Sequence, residues 1–240
     1  MRRLAIGLAV LLGLALAGWL GVRAWLDWYG RASQDPAFFD DEIAAFEAVD
    51  RQHAPPDRPI VFVGSSSIRL WTTLAADMAP LPVLNRGFGG SQLPHAIHFA
   101  DRIVIHYRPR AVVLYEGDND LDERTGKTAD DVVHDFLTFA DLVHSYVPDT
   151  RIYYLSIKPS RLRWERWPEQ AKANAAIAAL AAADPRLGFL DVATPMLATG
   201  EPPARDLFRF DGLHLSARGY ALWTSVVRPR LLTDFGEAER

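Results

Sequence analysis

Ile60-Val61-Phe62-Val63-Gly64-Ser65-Ser66-Ser67-Ile68-Arg69-Leu70-Trp71 is the stretch on which the fold turns. Its first four residues are apolar and mostly β-branched, too few for a helix, and the cluster Ala54-Pro55-Pro56-Asp57-Arg58-Pro59 before them breaks any preceding element. They read as a strand buried on both faces. A glycine and three hydroxyls follow, where the chain must turn into a helix. A nucleophile held at such a turn has its backbone N–H at a helix amino end, where developing negative charge is stabilised. Serines that merely cap the helix are the competing reading.

The same alternation recurs outward from this stretch. Apolar runs at Val83-Leu84, Ala111 to Tyr115, Ile152 to Ile157 and Leu187 to Leu190 are separated by stretches with helical periodicity. The helical candidates are His95 to His106, Ala129 to Tyr146, Pro168 to Ala183 and Ser216 to Leu231, with an amphipathic helix over Phe38 to Val49 ahead of the first strand. Strands that are apolar on both faces and alternate with helices call for a parallel sheet covered on both sides. The expected fold class is α/β, a three-layer α/β/α sandwich around a mostly parallel, roughly five-stranded sheet. Ligands of open parallel sheets bind beyond the carboxyl ends of the strands, so the chemistry should lie just after each one.

Of 240 residues, 49% are hydrophobic, enough for a sizeable core. The 26 basic and 30 acidic residues are interspersed, and no Lys/Arg run offers the footprint of a polyanion binder, which argues against nucleic acid as a partner. Without cysteine there are no disulfides, thiolate metal sites or cysteine nucleophile, so covalent chemistry falls to an oxygen nucleophile or lysine.

Arg2 and Arg3 precede 19 uncharged residues, Leu4 to Val22. At about 1.5 Å per residue these could cross a hydrocarbon core roughly 30 Å thick. Residues 1–23 are therefore expected to be a membrane anchor, with the basic amino end in the cytoplasm and the remainder in the cell envelope. The alternative is a signal segment cleaved near Ala17, which would release the chain as a secreted or periplasmic protein. Residues 24–59 then form a linker and the leading helix, 60–233 the main domain, and 234–240 a polar tail.

Three further segments carry chemistry. Asn85-Arg86-Gly87-Phe88-Gly89-Gly90-Ser91 lets backbone amides approach a ligand closely; a dinucleotide or phosphate loop is disfavoured because Gln92 stands where the fingerprint needs glycine and no Gly-Lys-Ser/Thr is present. In Glu116-Gly117-Asp118-Asn119-Asp120 an asparagine amide could donate to an oxyanion. A calcium loop running from Asp118 through Asp120 and Asp122 fails at Glu123 and Ala129, leaving a solvated acidic loop as the bland alternative. Asp211-Gly212-Leu213-His214 sets a carboxylate and an imidazole three residues apart. A serine alcohol needs an imidazole base, and that base needs a carboxylate to fix its tautomer. His95, His98, His106, His134 and His144 lack such a neighbour and read as structural.

These four segments, in this order, resemble blocks I, II, III and V of the SGNH (GDSL-like) hydrolase family. Gly64-Ser65-Ser66-Ser67 resembles Gly-Asp-Ser-Leu, Gly90 the glycine of the second block, Asn119 the asparagine of Gly-x-Asn-Asp, and Asp211 with His214 the Asp-x-x-His pair. The resemblance implies an SGNH/flavodoxin-like fold and a catalytic triad of Ser66, Asp211 and His214. It also implies an oxyanion hole made by the N–H groups of Ser66 and Gly90 and the amide of Asn119. Ser65 and Ser67 depart from the first block, which leaves Ser67 as an alternative nucleophile. An α/β-hydrolase elbow is disfavoured, since Ile68 stands where it needs its second glycine.

The implied activity is hydrolysis of a carboxylic ester, from a small molecule, lipid or glycan, through an acyl-enzyme and without metal or organic cofactor. Acyl transfer or O-deacetylation on envelope glycan or lipid would use the same triad, and a binding module that merely kept the fold would not need it. Lys158, Arg161 and Arg163 follow the fourth strand and are expected in a solvated loop, with contact to an anionic leaving group as the alternative.

Overall fold

A computed structural model describes residues 13–24, 28, 30 and 32–236. The chain divides into two compact units, Met1–Asp40 and Asp41–Arg240. In the first, residues 13–24 are helical and a 3-10 turn covers Pro36–Phe39, capped by Asp35, whose carboxylate accepts from the Ala37 N–H. Among the described residues no helix is long and apolar enough to cross a membrane. The start of the span expected over Leu4 to Val22 lies outside the described residues.

The second unit is built on five strands: β1 (Ile60–Gly64), β2 (Val83–Gly87), β3 (Ala111–Tyr115), β4 (Arg151–Leu155) and β5 (Leu187–Leu190). They lie in the order β2-β1-β3-β4-β5 and every pair is parallel. The fold is a three-layer α/β/α sandwich, as the alternating pattern requires. Side chains alternate between faces along a strand. Ile60, Phe62, Val113, Tyr115, Tyr153 and Leu155 point into the core beneath the last helix, α9 (Ala217–Phe235). On the opposite face Phe136, from α6 (Ala129–Tyr146), meets Tyr154 edge-on at 5.2 Å.

Two segments differ from expectation. The helix expected over His95 to His106 is broken into α4 (Leu93–His98), α5 (Ala100–Ile103) and a 3-10 turn (Ile105–Tyr107), because Phe99 and Val104 leave helical geometry. The fourth strand ends at Leu155 rather than Ile157. Beyond it, both backbone groups of Ile157 pair with the side-chain amide of Asn174, on α7 (Trp167–Ala183), which takes the place of a neighbouring strand.

Aromatic packing ties α9 to the turn after β1. Trp71 stacks on Tyr220 at 5.4 Å and meets Trp223 edge-on at 5.8 Å, and Trp223 also touches Tyr115. The Tyr220 hydroxyl donates to the Ser67 carbonyl at 2.9 Å. Each aromatic pair contributes about 0.5–1.5 kcal/mol beyond its burial, so this cluster fixes the Ser66 turn against the helix that follows His214.

Candidate active site

Strand register brings the first three loops together. Gly64 pairs with Gly87 on one side and Tyr115 on the other, so β1, β2 and β3 end at one level and release their chains side by side. Backbone bonds then join the loops: Ser65 N donates to Tyr115 O at 3.3 Å and Phe88 N to Gly64 O at 2.8 Å. Glycine is needed at 64, where a Cβ would lie 2.3 Å from the Tyr115 oxygen.

Ser66 opens a one-turn helix, α2 (Ser66–Arg69), so its N–H has no intrahelical acceptor. Its Oγ lies 3.0 Å from His214 Nε2, and His214 Nδ1 lies 2.7 Å from Asp211 Oδ2. A carboxylate only accepts, so Nδ1 carries the proton and Nε2 is left to accept from the serine hydroxyl. Burial raises the Asp211 pKa, but bonds from His214 and the Leu213 N–H outweigh it and the net shift is downward. The carboxyl therefore stays ionised beside the imidazole. Both side chains are about a quarter exposed, so the site opens to solvent on one side.

The pair is held by its own short loop. Asp211 Oδ1 accepts from the N–H groups of Leu213 and His214, each at 2.9 Å. Phe208 bridges Leu215 in antiparallel fashion, Arg209 N donates to His214 O at 2.7 Å, and Gly212 turns the chain at φ +67°. Ser67, the alternative serine, is buried, and no bond joins it to His214.

Gly90 turns at φ +91°, a conformation side chains disfavour, and carries the loop after β2 past Ser91. The Asn119 amide Nδ2 donates to Ser91 O at 2.9 Å, linking the loop after β3 to the loop after β2. Nδ2 has two hydrogens, and this bond engages one. The structure thus brings Ser66, Asp211 and His214 into one hydrogen-bonded chain and sets the Gly90 and Asn119 loops beside it.

The acidic loop is not solvated. Glu116, Asp118 and Asp120 are all buried, and each bonds to groups inside the fold. Asp120 accepts from the N–H groups of Leu93 and Gly117 and pairs with Lys127. Burial, with the neighbouring Asp120 charge, pushes the Glu116 pKa well up. Ser91 Oγ sits 2.9 Å from Phe88 O and 2.5 Å from Glu116 Oε1.

Nor are Lys158 and Arg163 in a solvated loop. Lys158 is buried with its Nζ 2.6 Å from Asp118 Oδ2 and 3.0 Å from the Tyr115 hydroxyl. Arg163 donates through Nη1 to Asp118 Oδ1 at 2.8 Å and through Nη2 to Asn119 Oδ1 at 3.0 Å. Burial works to raise the Asp118 pKa, but these two cations hold it far below the carboxylate range. Only Arg161 matches the expectation: it is exposed and donates to Pro203 O at 2.8 Å. The signal for Lys158 was available, since a lysine directly behind an apolar strand run needs a buried anion. His95 is also buried; its Nδ1 accepts from the Gln92 N–H and caps α4, and His144 bonds Thr150 O, so both are structural.

A cleft of about 760 Å³ lies alongside, lined by Asp122, Glu123, Arg161, Arg163, Trp164 and Leu213, the last lying between Asp211 and His214 in sequence.

Comparison with known proteins bears on the fold and the family. No curated protein matches. Among solved structures, a Streptococcus pneumonia protein described as a candidate platelet activating factor superposes with TM-score 0.70 at 19% identity, covering 88% of this chain and 98% of that one. A GDSL-like lipase from Bacteroides thetaiotaomicron gives 0.68 at 21% identity, covering 80% and 98%. A carbohydrate esterase family 3 protein from Talaromyces cellulolyticus gives 0.56 at 15% identity, covering 75% and 98%. At these identities the likeness is one of fold. Residues 50–222, well over half the chain, match the GDSL-like Lipase/Acylhydrolase family. The chain belongs to that family, the SGNH hydrolases, and is an ester-bond hydrolase.

Proposed function

We propose that Ser66 attacks a carboxylic ester carbonyl while His214 Nε2 takes its proton, with Asp211 holding the imidazole. The N–H groups of Ser66 and Gly90 and the Asn119 amide stabilise the oxyanion. His214 returns the proton to the departing alcohol, and water then cleaves the acyl-enzyme by the same route. The observation that carries this reading is the continuous path Ser66 Oγ–His214 Nε2 at 3.0 Å and His214 Nδ1–Asp211 Oδ2 at 2.7 Å. The alcohol part of the ester occupies the cleft beside Leu213. Its charged side chains can bond hydroxyls and Trp164 can pack against a sugar ring, beside an apolar wall of Leu162, Pro202 and Leu213. An acetylated sugar is the substrate class this fits best.

The test is a panel of acetylated sugars and p-nitrophenyl esters of increasing acyl length. Ser66→Ala should lower turnover at least about a thousandfold and abolish labelling by an organophosphonate, while Ser67→Ala changes turnover far less. Labelling that persists in Ser66→Ala would sink the assignment, and a preference for long acyl chains would sink the sugar reading alone.

We also propose that the amino-terminal apolar stretch anchors the protein, with the hydrolase unit outside the cytoplasm. The uncharged run Leu4 to Val22 behind Arg2 and Arg3 supports this.

A further inference from the structure

Asn119 would serve an oxyanion only if its amide faces the right way. An amide presents NH₂ from one end and a carbonyl from the other, and a flip would aim a partial negative charge at the oxyanion. The backbone carbonyl of Ser91 receives one Nδ2 hydrogen and so favours the productive orientation. The second constraint comes from Arg163, whose Nη2 donates to Asn119 Oδ1 at 3.0 Å. A guanidinium cannot accept, so it tolerates only the carbonyl end of the amide.

Arg163 is itself fixed. Its Nη1 donates to both the carbonyl and a carboxylate oxygen of Asp118, at 2.9 and 2.8 Å, and its side chain is 15% exposed. Asp118 in turn is fixed from behind by Lys158 at 2.6 Å, which is sealed from solvent. The chain Lys158–Asp118–Arg163–Asn119 runs from the core to the site, and the mechanism above uses only its last member.

We infer that Arg163, braced by Asp118 and Lys158, is a positioning residue that locks the Asn119 amide with its NH₂ toward the oxyanion. The inference rests on the proposed role of Asn119. Because Arg163 grips Asn119 through a charged bond, its loss lets the amide rotate and weakens stabilisation of the transition state more than binding of the ester. Lysine is no substitute, since one ammonium cannot span Asp118 and Asn119 in the fixed fork that two guanidinium nitrogens provide.

The test is a double-mutant cycle on the full chain, with steady-state kinetics on p-nitrophenyl acetate and a thermal melt to confirm folding. Arg163→Ala should lower kcat about 10- to 100-fold with KM nearly unchanged, and Arg163→Lys should recover little. Asn119→Ala should lower kcat about 10²- to 10³-fold, and adding Arg163→Ala to it should cost less than about threefold more, because the residue being positioned is gone. Fully additive losses, or a rise in KM with kcat preserved, would show that Arg163 acts on the substrate or elsewhere and would overturn the inference while leaving the oxyanion reading intact. Undiminished turnover in Asn119→Ala would instead refute the oxyanion reading, and the inference with it.

Discussion

Replacing Asp118 with alanine strips Lys158 of the carboxylate it is bonded to. The Lys158 side chain is 1% exposed and would keep only the Tyr115 hydroxyl at 3.0 Å. Breaking a buried pair by removing one partner costs about 3–5 kcal/mol. The folded protein has an alternative, which is to release the lysine proton. From the ordinary lysine value of 10.5, doing so at pH 7 costs about 5 kcal/mol at about 1.36 kcal/mol per pH unit, and at pH 9 about 2 kcal/mol. Burial already lowers the Lys158 pKa in the native protein, and without Asp118 it falls further, so the variant's stability rises with pH more than the native protein's, up to about the unfolded value. The loss should therefore be about 3–5 kcal/mol at pH 7 and shrink toward about 2 at pH 9. Urea denaturation of the full chain, followed by tryptophan fluorescence at both pH values, measures it. A loss below about 1 kcal/mol at pH 7, or one that does not shrink at pH 9, would refute the claim that Asp118 compensates a lysine sealed in the core.

Two further outcomes are expected. Asp211→Asn should keep the loop but disturb the imidazole tautomer, lowering turnover by about 10⁴-fold, the size of the equivalent change in a serine protease; steady-state kinetics showing less than a tenfold loss would deny Asp211 that role. Expressed in a bacterium, the full chain should sediment with membranes and resist alkaline wash; a soluble product beginning near Gly18 would mean the leading segment is a cleaved signal.

The sheet was legible because its central strands are apolar on both faces, which few other elements can be. At β2 only Val83 and Leu84 betrayed the strand, which runs on through Asn85, Arg86 and Gly87. It is an edge strand paired only with β1, and there polar residues find local partners: Arg86 is held by Asp50 and Tyr107. Ser66, Asp211 and His214 were legible because each stands in a short motif of fixed spacing. Arg163 was not, since its partners Asp118 and Asn119 lie more than forty residues earlier and no periodicity connects them. The burial of Lys158 could be read from the strand run before it, but the same distance hid its partner Asp118, so a charged stretch looked like loop when the charges were compensated inside the fold. The break in the helix after His98 left no mark either, because Phe99 to Val104 keeps the apolar spacing of a continuous helix.

The loop that carries Asp211 and His214 closes on itself within eight residues, from Phe208 to Leu215. The two groups therefore share one small frame, and their mutual distance depends on almost nothing else in the molecule. Ser66 lies 148 residues before His214 and reaches it through the stacking of sheet, Trp71 and the last helix. Any slackening of the core, by heat, substitution or drift over evolution, is thus channelled into a single dimension, the gap between Ser66 and the imidazole. Such a hydrolase would fade by losing contact between two intact parts, with the acid–base cassette still correctly assembled after turnover has gone.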